Sequence, residues 1–316
     1  MSTRLLCQLA MAGVLLALAP AAAAQTATSP QCQTLHTYVS VLKPDGHALT
    51  TLTAADFEAE TGGKPAQVTA AALHVPEHRV FVLLDHSGSM SGDRWNVAVA
   101  LARDLDHMLP AKMPIGIYWF DTGLHQLVPL TRDHNYVDRE LKTFLLTGPA
   151  PGSRTQILDA VDQVLKAVPT HHAGDIVYVL TDGEDNHSIE NFGEVAKALA
   201  ASSTRLFAGE LQYGEPGEFR PEDLRQTELR RSAEKSGGSF FKLGQDIYQF
   251  DEEQFQLARR ANFAMFESMV GDYELSLISG VPIAKPEKLK LHVHPRSAIT
   301  DKIKMVYPEA ILPSCP

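Results

Sequence analysis

Residues 81–90 read FVLLDHSGSM, and the fold follows from how this stretch is read. The apolar run starts at Val80, continues through Leu84 and stops at Asp85. Five apolar residues in succession suit a strand buried on both faces, as in a parallel sheet lying under helices. The Asp85 carboxylate then falls where the strand ends, and ligands of open α/β sheets collect at that edge. Ser87 and Ser89 follow at alternate positions with Gly88 between them. The pattern D-x-S-x-S thus offers one carboxylate and two hydroxyls, hard oxygen donors of the kind Mg²⁺ or Mn²⁺ selects. Gly88 is expected to allow the tight backbone path that turns both hydroxyls toward one ion. The plainer reading is that Asp85 and the serines only cap a helix, since Asp and Ser favour caps and turns.

Two further segments speak against the plainer reading. Thr155 lies in GSRTQILDAV, a polar loop opening a helix, and Asp182 lies in IVYVLTDGEDN, again an apolar run ending in a carboxylate. The three pieces, in this order, resemble the metal-ion-dependent adhesion site of von Willebrand factor type A domains. The resemblance implies that Asp85, Ser87, Ser89, Thr155 and Asp182 hold a divalent cation, Mg²⁺ first, with Mn²⁺ or Ca²⁺ as alternatives. It also implies that some of these donors act through water and that one direct position stays open for an acidic side chain of a protein partner. The chemistry is sound: a divalent ion with few direct carboxylates keeps positive charge, so an outside Asp or Glu gains a strong bond. Glu184 and Asp185, just past Asp182, read as a solvated acidic loop, the alternative being that they orient waters at the ion. His86, at the variable position of the motif, reads as a surface residue or a lining of the binding rim.

Working outward, IGIYWFD is a second buried strand, LHQLVPL its edge partner, DIVYVLTD a third buried strand, TRLFAGEL a fourth and SFFKL a short last one. Helical stretches separate them. In the first, at about 93–109, Ala98, Ala102, Leu105 and Leu109 fall at helical spacing; another is expected at about 136–146. Alternating β and α units imply a doubly wound, mostly parallel sheet with helices on both faces. The last long helix is QFDEEQFQLARRANFAMFESMV. In the resembling domains the helix in this position slides when the site engages a partner; a static packed helix is the other reading. The acidic loop of residues 212–223, carrying Tyr213, Phe219 and Arg220, leaves a strand parallel to those ending in Asp85 and Asp182. It should therefore rise beside the ion and supply selectivity, a solvated insertion with no partner being the other reading.

The flanks are β-like. Residues 35–73 contain a strand, an Asp45-Gly46 turn, the phrase LTAADF and a hairpin around Gly62-Gly63 followed by Lys64-Pro65. This succession is similar to the N-terminal module of the VWFA-related Acidobacterial family. After Gly271, DYELSLISG and KLKLHVHP alternate and IKMVYP is a third strand candidate. The expected organisation is a leader at 1–24, an N-terminal β-module at 25–76, the metal-site domain at 77–270 and a C-terminal β-segment at 271–316. Both ends are expected to join in one Ig-like β-sandwich, two independent β-modules being the alternative.

Residues 1–24 have Arg4 near the start, an apolar core through Leu18 and an Ala-x-Ala pattern before Gln25, the marks of a secretory signal. Export to the periplasm or the medium is the expectation, without stable membrane insertion. The net charge of −10 disfavours nucleic acid and anionic lipid surfaces as partners. Two cysteines remain after the leader, Cys32 and Cys315, an even pair that reads as a disulfide in an oxidising compartment. G-x-S-x-G, H-E-x-x-H and a phosphate-binding Gly loop with Lys are all missing from the sequence. His292 and His294 share one strand face, but no third metal ligand lies near them in sequence. Two functions remain: an exported module capturing a protein ligand through the ion, and a metal-dependent hydrolase using the same ion to activate water. The first is favoured, because no positioned base such as a His or Glu accompanies Asp85, Ser87 or Ser89 in the motif.

Overall fold

A computed structural model describes residues 32–44, 47–73, 78–168, 170–183, 185, 187–211, 224–243, 252–294 and 303–311. The described chain opens with β1 (Cys32–Leu42), a single 3₁₀ turn (Ala54–Asp56), β2 (Phe57–Thr61) and β3 (Lys64–Leu73). The turn is closed by a capping box between Thr53 and Asp56. Then follow β4 (Val80–Asp85), α1 (Asp93–Met108), β5 (Ile115–Phe120), β6 (Leu124–Thr131), α2 (His134–Thr147) and α3 (Ile157–Ala167). Next come β7 (Ile176–Thr181), α4 (Phe192–Ser202), β8 (Arg205–Glu210), α5 (Leu224–Lys235), β9 (Phe240–Lys242) and α6 (Glu252–Val270). The described chain ends with β10 (Asp272–Ile283), β11 (Glu287–Val293), β12 (Lys304–Val306) and β13 (Ala310–Ile311).

The central sheet has the order β6-β5-β4-β7-β8-β9, parallel except for β6. The edge strand β6 carries Pro129, which cannot donate to a ladder and so belongs at an edge. All six residues of β4 are buried, and alternate side chains enter opposite cores. Val80, Val82 and Leu84 pack with Leu101, Leu105, Leu141 and Met265 on the α1, α2 and α6 side. Phe81 and Leu83 pack with Val161, Leu165, Val195 and Leu229 on the α3, α4 and α5 side. This is why the strand reads as a continuous apolar run instead of an alternating one. Helix α2 begins two residues before the sequence reading, because Asp133 caps it by accepting the Tyr136 N–H at 3.0 Å.

The second sheet is antiparallel throughout, in the order β12-β1-β10-β3-β2-β11-β13. Strand β1, from the N-terminal side, lies between β10 and β12 from the C-terminal side, so the chain ends build one β-unit and not two modules. Its core holds Leu35, Val39, Phe57, Tyr273, Leu275, Leu291 and Ile311. The pairing forms one continuous sheet, and the expectation of an Ig-like sandwich is met only in its coarser part, a shared antiparallel β-unit.

Arg205, at the start of β8, joins the two sheets. Only 1% exposed, it donates from Nη1 to Asp272 Oδ2 at 2.8 Å, from Nη2 to Ser40 Oγ at 3.0 Å and to the Ser268 carbonyl at 2.9 Å, and from Nε to the Gly237 carbonyl at 2.9 Å. Ser40 belongs to β1, Asp272 to β10 and Ser268 to the last turn of α6. The cation therefore sits against the carbonyl end of that helix, where positive charge is favoured. Helix α6 is held again at its middle, where Asn262 accepts from Tyr178 Oη at 2.7 Å and donates to the Leu101 carbonyl at 3.1 Å.

Residues 1–24, the Asp45-Gly46 turn, the 212–223 loop and Cys315 lie outside the described residues. In the backbone pairing, Cys32 stands opposite Ile283 and Ile311 opposite Glu287, one short hairpin apart. The even pair of cysteines after the leader predicts a Cys32–Cys315 disulfide in protein from an oxidising compartment. Peptide mapping without reductant checks it, and two alkylatable thiols under denaturing, non-reducing conditions would refute it.

Candidate metal site

The motif is held by its own backbone. Asp85 Oδ1 accepts the Ser87 N–H at 2.9 Å, a turn that Asp side chains form two residues on. Oδ2 accepts from Thr181 Oγ1 at 2.6 Å, which ties the end of β4 to the end of β7. Residues Gly88–Met90 make one 3₁₀ turn, which sets Ser87 Oγ and Ser89 Oγ 3.1 Å apart. Gly88 does not need a left-handed φ for this; Gly183, just after Asp182, does, with φ 85°. The expectation placed on Gly88 is thus corrected: the 3₁₀ turn, not a glycine-only backbone, brings the hydroxyls together.

The Thr155 loop is tied to the same edge. Ser87 and Gly152 form a parallel bridge, and the Gly152 N–H donates to the His86 carbonyl at 2.9 Å. A Cβ on Gly152 would stand 2.5 Å from Asp121 Cβ, so the loop approaches only because this position has no side chain. Thr155 is buried, and its carbonyl accepts the His187 N–H at 3.1 Å. Helix α3 begins without a side-chain cap of its own. Its N–H groups are satisfied from the loop after β7: Leu158 N–H reaches Asp185 Oδ2 at 3.2 Å and Ser188 Oγ at 3.1 Å, and Asp159 N–H reaches Ser188 Oγ at 3.2 Å. In return Asp159 accepts the N–H groups of Ile189 and Glu190 at 3.0 and 2.7 Å. Asp185 is therefore a buried cap that fixes the loop after Asp182 against the Thr155 loop, not a solvated acid. Glu184 lies outside the described residues.

Asp85 and Asp182 are both buried, at 0% and 4% exposure. Burial first, and then the negative charge of Asp182, push the Asp85 carboxyl up to about 7, against the hydrogen bonds from Thr181 and Ser87. Two buried carboxylates facing one another are unfavourable as a bare pair, and a divalent cation between them would reverse the sign of that interaction. Among the described residues no three His, Cys, Asp or Glu side chains converge as a metal centre. The set at this edge is instead two carboxylates with serine and threonine hydroxyls, a composition that fits a hard cation such as Mg²⁺ better than Zn²⁺.

His86 departs from the sequence reading. It is 4% exposed and packs among Trp95, Trp119 and Phe144, with ring centroids 4.5, 5.3 and 5.5 Å away. Burial lowers its pKa, while the charge of Asp121 raises it. The variable position of the motif is thus a buried prop under the loop and not part of a rim. Asp121 itself went unassigned in the sequence, although IGIYWFD ends in a carboxylate as the β4 and β7 runs do. Its Oδ1 closes the turn into β6, accepting from Thr122 N–H at 2.5 Å and Gly123 N–H at 3.2 Å. His292 and His294 are exposed, His294 with its Nε2 3.4 Å from Glu58.

Residues 80–184 match the family model of the von Willebrand factor type A domain. Over that segment the chain carries this domain type. No curated protein matches the chain. Many solved structures are similar to it, among them the following three. A von Willebrand factor type A structure from Catenulispora acidiphila is 14% identical, covering 89% of this chain and 75% of that one, with a TM-score of 0.45. An aerotolerance-related membrane protein from Bacteroides fragilis, bearing multiple mutations to serines, is 17% identical over 61% of this chain and 98% of its own, with a TM-score of 0.45. The conserved hypothetical protein BatB from Bacteroides thetaiotaomicron is 18% identical over 59% and 98%, with a TM-score of 0.42.

Proposed function

We propose that this chain is an exported protein-binding module, an adhesion or scaffold protein of the VWFA-related Acidobacterial family, that captures an acidic side chain of a protein partner through a divalent cation. Asp85, Ser87, Ser89, Thr155 and Asp182 would hold the ion, Mg²⁺ being the best fit. The observation that carries the reading is the pair of buried carboxylates, Asp85 and Asp182, at the ends of the paired strands β4 and β7, with Ser87 Oγ and Ser89 Oγ 3.1 Å apart on the turn that follows Asp85. When bound, the ion supplies a Lewis-acidic position for an outside carboxylate. The chain's own contribution is rigidity: the Ser87 and Thr181 hydrogen bonds fix Asp85, and the Asp185–Ser188 cap fixes the loop next to Thr155. Catalysis is not part of the proposal. The histidine of the motif is packed among aromatic rings and so is withdrawn as a base for activating water. Among the described residues no helix is long and apolar enough to cross a membrane.

Asp85→Ala and Asp182→Ala are each expected to abolish Mg²⁺ and Mn²⁺ binding in a calorimetric titration while circular dichroism stays that of the folded chain. Undiminished affinity in both variants would overturn the assignment.

A further inference from the structure

One strand edge of the outer sheet is covered only in part. Strand β12 pairs with β1 at Ser40–Leu42, and among the described residues no strand pairs with the same edge along Thr34–Thr37. The sequence explains where the pairing stops. Ser40 faces Val306 and Leu42 faces Lys304, so continuing the register would set Tyr38 against Pro308. The Val41 carbonyl accepts the Leu49 N–H on the other side of β1, so by alternation the even-numbered residues turn their main-chain groups toward β12. The next ladder bond would thus need an N–H that Pro308 lacks. The chain swings away instead. Pro308 bridges to Ser236, the Glu309 N–H donates to the Lys235 carbonyl at 3.1 Å, and Ala310–Ile311 pair with β11.

A cavity of about 350 Å³ lies where the two segments part, lined by β1 and by Pro308 and Ala310. From β1 it is lined by His36, Thr37 and Tyr38. Side chains of consecutive strand residues point to opposite faces, so a space touched by all three lies off the strand's edge, where the main-chain groups of His36 are directed. Leu199 and Ala200 of α4 give it an apolar wall. Thr204, also in the lining, immediately precedes β8, which runs parallel to β7 and β4. The cavity is therefore at the edge of the central sheet opposite to that of Asp85 and Asp182. An uncovered strand edge is a template for another extended chain, because a second backbone offers donors and acceptors at ladder spacing. The apolar wall beside it suits side chains arriving at every second position of such a chain. A second copy of this protein is disfavoured as the source of that strand by the net charge of −10.

We infer that the β1 edge at Thr34–Thr37 binds an extended peptide segment of a partner protein, added as a strand beside β1 with aliphatic side chains in the cavity next to Leu199 and Ala200. No divalent ion takes part, so the inference stands apart from the metal site. The test uses the full chain in EDTA and a phage-displayed library of random dodecapeptides, one enriched sequence being carried forward as a fluorescent synthetic peptide. The expected pool has Val, Ile or Leu at alternate positions. N-methylation of one alternate set of its amides, those directed at β1, should weaken binding about tenfold or more, while methylation of the intervening set leaves it within about twofold. Ala200→Trp, at an exposed helix position that lines the cavity, should weaken the unmodified peptide by a similar factor while circular dichroism stays that of the folded chain. A pool without alternation, equal losses from both methylated sets, or full binding by Ala200→Trp overturns the inference. Binding that appears only after residues 312–316 are removed assigns the groove to the chain's own end, and self-association abolished by Ala200→Trp assigns it to a second copy; either result overturns it too.

Discussion

Arg205→Met is expected to destabilise the whole chain by roughly 3–5 kcal/mol, because removing one member of a buried ion pair leaves the other uncompensated. The residue left behind is Asp272, fully buried, with His78 Nε2 3.5 Å away. The Gly237 carbonyl loses its Arg205 donor in the same change, and the Ser268 carbonyl at the end of α6 loses one of two, keeping the bond from Ser40 Oγ at 2.5 Å. Urea denaturation followed by tryptophan fluorescence reads the effect, since both tryptophans lie in the α/β part. The double change Arg205→Met with Asp272→Leu should recover much of the loss, because an apolar pair carries no stranded charge. If Arg205→Met alone is as stable as the unsubstituted chain, the joint between the sheets is not where its stability resides.

A second large effect follows from Asp85. Its folded-state pKa lies above its unfolded value, so folding favours the protonated form. The resulting stability is fully present below about pH 4, the ordinary carboxylate range, and is lost as pH rises through about 7. In chelator the chain should therefore lose on the order of a few kcal/mol from this group between those limits. Added Mg²⁺ should restore it, since an ion bound to the native state alone stabilises that state. The gap between the Mg²⁺ and EDTA denaturation midpoints should thus widen from pH 5 to pH 8. Asp85→Asn removes the titrating charge, so in EDTA at pH 8 it should be more stable than the unsubstituted chain and indifferent to Mg²⁺. A gap that is constant with pH would count against a shared Asp85–Asp182 ion. Other acids titrate in the same window, which is why the Asn variant is the reference.

The sequence by itself determined the local elements and the donor set. Apolar runs such as VFVLLD and IVYVLT can be satisfied only by burial on both faces, so the parallel sheet and the carboxylates at its edge were readable residue by residue. The hairpin at Gly62-Gly63 was readable for the same local reason, both glycines holding positive φ. What tertiary structure alone decided are the contacts between residues far apart in the chain. His86 is buried because α1, β5 and α2 each bring one aromatic ring to it, and no local pattern announces that convergence. Asp185 became a cap because α3 lacks one of its own, a need visible only when the loop after β7 lies beside Thr155. Arg205 lies in TRLFAGEL, which the sequence shows only as a strand. Its burial depends on Asp272, 67 residues later, and on Ser40, 165 residues earlier, because a cation stays inside only where distant strands bring it a carboxylate and oxygen acceptors. The order of the outer sheet was undetermined for the same reason: an alternating strand states which face is apolar, and only the pairing chooses its neighbour.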